Sequence, residues 1–319
     1  MATGSRAIVG YARTMRTGLA LALAMTVTTA GATPPRAAPA DAAPAIELSA
    51  ARTLLPGGDD CGDVACLIER AYRSDGKARA LALALWTEGG HVAGVGAEEI
   101  MDGGYRGKIH LMPQLPTGSY RPHLGWVVDA MRSVDKLFAD LFAGQPAPRY
   151  RWRALAFRFV RSIGKRTPSA YASSWAIEYN VEGSLLTSAA GVRETIVHEL
   201  FHVNDEAHGD WSARHLQADY DAIVERCGKA LAAACLAPYA PGSTMVRGGT
   251  YYAFQPNNGN GVHEYAAELA VRYFVEQGEM VARGKLARRA FKCGPAENAR
   301  AWNALVDEFF GGRDLVPDC

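Results

Sequence analysis

Neither sign of charge is in excess along this chain of 319 residues, whose net charge is +1. That lack removes the basic face with which a nucleic-acid binder collects phosphates, and the cationic stripe of an electrostatic membrane anchor. No C-x-x-C of the metal-binding kind occurs among the six cysteines, which excludes a thiolate zinc knuckle. Internal repeats are missing too, so a solenoid is excluded and residues 49–319 read as one compact unit. The longest apolar run, "TGLALALAMTVTTAGA", is too short and too rich in small residues to span a bilayer comfortably.

That run nevertheless has a meaning. Arg6, Arg13 and Arg16 precede it and Ala30-Gly31-Ala32 closes it as an A-x-A cleavage pattern, so residues 1–32 read as a removed secretory signal. Neither a twin arginine nor a nearby lipid-attachment cysteine is present. Residues 33–48, with "TPPRAAPADAAPA", read as a Pro/Ala linker outside any core. The mature protein is thus expected outside the cytoplasm, extracellular or periplasmic, with no membrane association. An even number of cysteines in such a chain predicts disulfides. The sequence-local pairing is Cys61–Cys66, Cys227–Cys235 and Cys293–Cys319.

Hydrophobic residues make up 49% of the chain and charged ones 21%, ordinary values for a globular protein. Apolar spacing of three and four predicts helices over 61–75, 121–144, 209–227, 262–279 and 295–310. "KIHLM" (108–112), "ALAFRFV" (154–160) and "SWAIEYN" (174–180) read as strands, the last turning through Asn180–Gly183 into "SLLTS" as a hairpin. Strands first and mostly helices afterwards predict an α+β fold: a small mixed or antiparallel sheet in an N-terminal lobe, then a mostly helical C-terminal lobe.

Between the lobes stands "ETIVHELFHVNDEAH", on a helix expected to start at a Ser188 cap and run to about Asn204. His198 and His202 are four apart, hence on one helical face, as two ligands of one tetrahedral ion require. Glu199 adjoins the first and can take a proton from a water in an open coordination position. Ile196, Val197, Leu200, Phe201 and Val203 make the helix apolar on most sides. Two histidines and a glutamate buried there need a partner that offsets their desolvation, and a metal supplies one.

Two residues compete for the third ligand position. His208 completes an H-E-x-x-H-x-x-x-x-x-H spacing of the metzincin kind, with Asp205 where that pattern has glycine and "STM" (243–245) able to pass for a Met-turn. Alternatively Glu264 and Glu268 in "GVHEYAAELAVRYF", four apart amid apolar neighbours, offer one carboxylate as ligand and a second to orient a ligand histidine. Two glutamates sharing one face of an apolar helix are harder to explain without a metal than one histidine in a polar turn, which favours Glu264. Asp205, three residues beyond His202, is a further candidate to orient a ligand, while His263 falls on another helical face than Glu264.

"HELFHVND" followed by tyrosines and then "EYAAEL" is similar to the catalytic domain of anthrax-lethal-factor-like metallopeptidases, which are gluzincins. The resemblance covers two short motifs. It implies a zincin-like fold over 49–319, a single Zn2+ held by His198, His202 and Glu264, and Glu268 behind the ligands. It also implies an oxyanion-stabilising tyrosine before the ligand helix, for which Tyr252 is the choice and Tyr251 the neighbour. The expected activity is a secreted zinc-dependent endopeptidase acting on protein or peptide substrates, with Glu199 as general base. Such folds hold substrate along an edge strand, and "SWAIEYN" or "SLLTS" could supply it. The other readings are a metzincin-type peptidase using His208, and a secreted zinc-binding protein without catalysis.

Overall fold

A computed structural model describes residues 44–103, 106–151, 153–228, 232–246, 248–255 and 260–319. The expected signal segment and most of the linker lie outside the described residues. In chain order the regular elements begin with α1 (Leu48–Leu54), α2 (Val64–Ala71), α3 (Gly76–Gly89), β1 (Val92–Val95), β2 (Glu99–Asp102) and β3 (Lys108–Pro113). There follow α4 (Arg121–Leu141), β4 (Ala156–Ser162), β5 (Ala170–Ser173), β6 (Ala176–Asn180) and α5 (Ala189–Ala207). The C-terminal part is helical: α6 (Trp211–His215), α7 (Gln217–Cys227), α8 (Ala233–Leu236), α9 (Gly261–Arg283) and α10 (Ala296–Phe310). The fold is therefore α+β, with a mixed sheet before α5 and helices after it.

β4 is the centre of the sheet. Its path is β2-β3-β4-β6-β5, with β1 also paired to β4. β6 runs parallel to β4 along 156–160, so β1 (at 156–159) and β3 (at 160–162) must share the opposite edge of β4, one after the other. Three strands pair with it, and its alternation is lost: Ala156, Phe157, Phe159, Val160 and Ser162 are all buried. That is what burial on both faces of a strand produces.

The expected hairpin is displaced. β6 pairs antiparallel with the preceding strand β5, and 184–188 forms a turn instead of a strand. The reversal occurs at Ser174 and Trp175, whose φ angles are +50° and +62°. Two-residue hairpins need positive φ at both central positions, which usually demands Asn or Gly; neither is there, so the sequence carries no turn signal. The Ser174 N–H donates to Glu206 Oε2 at 2.8 Å, which pins this turn to the last part of α5.

Because β6 lies between β4 and β5, the chain leaving β4 must cross over the end of β6. Buried Asn180 fastens that crossing. Its Oδ1 accepts from the Ser162 and Glu182 N–H groups at 3.0 and 3.1 Å, and its Nδ2 donates to the Pro168 carbonyl at 2.7 Å. A buried amide with every bond made specifies one loop path and no other.

α5 starts at Ser188 as expected, the Ser188 hydroxyl accepting from the Gly191 N–H at 3.2 Å. It is buried on nearly all sides from Thr195 to Asp205, against α4, α9 and β5. The predicted helix over 209–227 is broken in two. Asp210 takes positive φ, and Asp205 accepts from the Ser212 N–H and hydroxyl at 2.7 and 2.6 Å, making the corner into α6. An aromatic cluster of Phe138, Tyr150, Tyr273, Phe274 and Phe310 locks α4, α9 and α10 together, Tyr273 and Phe310 stacking at 4.0 Å. Truncating a fully buried ring of this kind costs about 3–5 kcal/mol.

All three expected disulfides form, Cys61–Cys66, Cys227–Cys235 and Cys293–Cys319, with Cα separations of 5.5, 5.6 and 5.4 Å. Among the described residues no helix is long and apolar enough to cross a membrane.

Candidate metal centre

The i, i+4 spacing on α5 brings the rings of His198 and His202 side by side, Nε2 to Nε2 at 3.1 Å. From α9, 66 residues on, Glu264 Oε2 comes to 3.0 Å from His198 Nε2 and 3.7 Å from His202 Nε2. All three side chains are buried, and their donor atoms lie within 4.8 Å of one another. Donors bound about 2.0–2.1 Å from a tetrahedral zinc stand roughly 3.3 Å apart, and the separations found bracket that value. The group can hold a metal ion.

Its electrostatics ask for one. Glu199, Glu264 and Glu268 put three carboxylates, each only 6% exposed, around two imidazoles. Burial pushes the Glu199 carboxyl above its usual range, only partly offset by the two histidines. For Glu264 burial acts the same way, but bonds to His198 and His202 outweigh it and hold the carboxyl well down. His198 is the converse: desolvation disfavours its charge, while Glu264 and Glu268 raise it well above the ordinary value. A divalent cation does the work of these shared protons more completely, since it offsets two charges at one point.

Glu268 stands one turn beyond Glu264 on α9, and its Oε1 is 3.5 Å from His198 Nδ1, behind the ligand face. The backbone of Gly242 closes over this carboxylate so tightly that a Cβ there would overlap Glu268 Oε2. Glu199 makes no hydrogen bond or ion pair within the described residues and faces a cleft of about 680 Å³. The floor of the cleft is α5, through Glu194, Thr195, His198 and Glu199. One wall is the edge strand β5 with Pro168 and Ser169; another is the 244–246 segment with Tyr252 and Gln255.

That second wall is a short ribbon. Met245 bridges to Tyr251, and the Tyr252 N–H donates to the Thr244 carbonyl at 2.9 Å. The arrangement separates the two tyrosines. Tyr252 lines the cleft with its ring centroid 5.7 Å from that of His198, whereas Tyr251 packs against the core.

Several expectations need correction. His208 is not in the group: its Nδ1 lies 2.7 Å from Glu308 Oε1 and its Nε2 3.1 Å from the Arg149 carbonyl, so it joins the end of α5 to α10. Asp205 has both carboxylate oxygens bonded to Ser212 and builds the α5–α6 corner instead of orienting His202. Met245 is 49% exposed on the cleft wall, which is not the place of a Met-turn beneath the ligands. The edge strand is β5; β6 is internal to the sheet. Glu194, Gly242 and the 167–170 wall went unnoticed in the sequence. Of these only Glu194 carries a signal, being one turn before His198 on the same helical face. No family model, no curated protein and no solved structure matches this chain.

Proposed function

We propose that the protein is an exported zinc-dependent endopeptidase with a zincin-like catalytic unit. One observation carries the reading: a buried His-His-Glu donor set lies beside a buried carboxylate, Glu199, that has no hydrogen-bond or ion-pair partner among the described residues and faces a cleft. A site that only stores metal has no use for Glu199, because burying a carboxylate without a partner is costly. His198, His202 and Glu264 hold the ion, and Glu268 fixes the His198 ring through Nδ1. A zinc ion bound there polarises a peptide carbonyl and lowers the pKa of water.

The chain's own groups supply the remaining chemistry. Glu199 accepts the proton of the attacking water on its carboxylate, then delivers it to the departing amine nitrogen. The raised affinity of Glu199 for protons suits this exchange. Tyr252 donates its phenolic O–H toward the carbonyl oxygen as charge develops there. The unpaired side of β5 accepts an extended substrate segment by main-chain pairing, which places the scissile bond over α5.

The test is Glu199→Gln, assayed with casein or a peptide library with and without chelator. Removing a general base costs on the order of 10²–10⁴ in rate. The variant is expected to keep its zinc and lose proteolysis; unchanged proteolysis defeats the reading. Proteolysis that survives the chelator also defeats it, whereas a wild type that binds zinc without turnover supports a non-catalytic zinc-binding protein instead.

A further inference from the structure

Glu194 belongs to the cleft yet takes no part in the chemistry just described. It sits one turn before His198 on α5, on the face that forms the cleft floor. No hydrogen bond or ion pair reaches it among the described residues. Its charge is disfavoured by Glu268, of its own sign, and favoured by His198. Among the described residues the sole Lys or Arg lining the cleft is Arg106, placed near Gly103 and Thr167, with its Nη1 donating to Thr167 Oγ1 at 3.2 Å. The same cleft already contains one unpartnered buried carboxylate, Glu199, aimed at whatever enters. Glu194, exposed on the cleft floor, thus adds a second carboxylate to the cleft, beside a third, Glu268.

We propose that Glu194 receives the cationic side chain of a lysine or arginine in the substrate peptide, close to the cleaved bond. This rests on the endopeptidase reading of the site. The position follows from two pitches: one helical turn advances about 5.4 Å, while an extended peptide advances about 3.3 Å per residue. The cation is therefore within about two residues of the scissile bond. A side chain of that length brings its charge between Glu194 and Glu268, relieving the repulsion of like carboxylates and forming a charge-assisted hydrogen bond in a partly dehydrated cleft. A neutral side chain relieves nothing, and an acidic one adds to the repulsion, so discrimination comes from both attraction and exclusion. Leu185 and Met245, each 49% exposed at the cleft margins, leave apolar contact for the neighbouring substrate residues.

The experiment uses quenched fluorescent peptides that differ only in Lys, Gln or Glu at the two positions on each side of an apolar–apolar bond. Wild type is expected to prefer Lys to Gln in kcat/KM by about tenfold at low salt, the size of one good charge-assisted bond. High salt shrinks that preference. Glu194→Gln brings the Lys-to-Gln ratio near unity, and Glu194→Lys turns it toward Glu. A Lys preference that survives in Glu194→Gln overturns the proposal, as does chelator-sensitive cleavage without any charge preference; in both cases the peptidase reading stands. If no peptide is cleaved, the peptidase reading fails, and anisotropy of the labelled Lys peptide decides Glu194 separately. Binding that weakens about tenfold in Glu194→Gln upholds it, and equal binding overturns it.

Discussion

Glu264→Gln removes one charge and leaves the shape of the side chain nearly intact, so its effect isolates the carboxylate as a ligand. Loss of a residue behind a metal ligand already weakens binding by about 10–100-fold, and loss of a ligand must cost at least the upper end of that range. At a fixed, saturating free zinc concentration, a hundredfold weaker affinity withdraws about 2.7 kcal/mol of linkage stabilisation. For a chain of this size, roughly 2 °C of melting temperature follows each kcal/mol, so the zinc-loaded variant melts about 5 °C below wild type. With chelator the gap closes, because neither protein then has the ion. Calorimetry with and without chelator, alongside metal analysis, gives both numbers. His208→Ala is the control: it breaks a contact to Glu308 worth about 1–3 kcal/mol, equally in both conditions, and keeps stoichiometric zinc. Zinc retained at full strength in Glu264→Gln but lost in His208→Ala would refute the reasoning and restore the metzincin-type ligand set.

Two further outcomes follow from groups around the site and the sheet. Gly242→Ala drives a methyl into the Glu268 carboxylate, frees the His198 ring, and is expected to weaken zinc by about 10–100-fold in a chelator competition; unchanged affinity would show that Glu268 does not restrain the ligand. His91 is buried, and desolvation, with a smaller push from Arg151, lowers its pKa from 6.5 to about 3. Between those values the unfolded chain takes up a proton that the folded protein refuses, so stability is lost as pH falls below about 6.5, at up to 1.4 kcal/mol per pH unit. His91→Asn keeps an acceptor for the Leu155 N–H, which His91 Nδ1 now meets at 2.9 Å, and is expected to flatten that slope in urea titrations at pH 7, 6 and 5. An equal slope in the variant assigns the acid lability elsewhere.

What could be read from the sequence was whatever repeats at a fixed interval on one element. His198 and His202, then Glu264 and Glu268, each declare a shared helical face, and Ser188 declares where the first helix begins. What could not be read depends on partners far away in the chain. His208 looks like a ligand until Glu308, 100 residues later, is seen to hold it. Asp205 looks free until the corner at Asp210 returns Ser212 to it. The parallel pairing of β1 with β4 has no local mark, and the turn at Ser174 and Trp175 uses residues that ordinarily avoid its backbone angles.

The covalent cross-links of this protein are all short in sequence: the cysteine pairs close intervals of 5, 8 and 26 residues. None of them joins α5 to α9. A bound ion would tie those helices across the 66 residues between His198 and Glu264, the widest ring in the molecule and the one whose closure removes most freedom from the unfolded chain. Metal scarcity would then do more than silence the cleft. It would untie the two halves of the helical layer, and a chain left in that condition is opened to proteolysis.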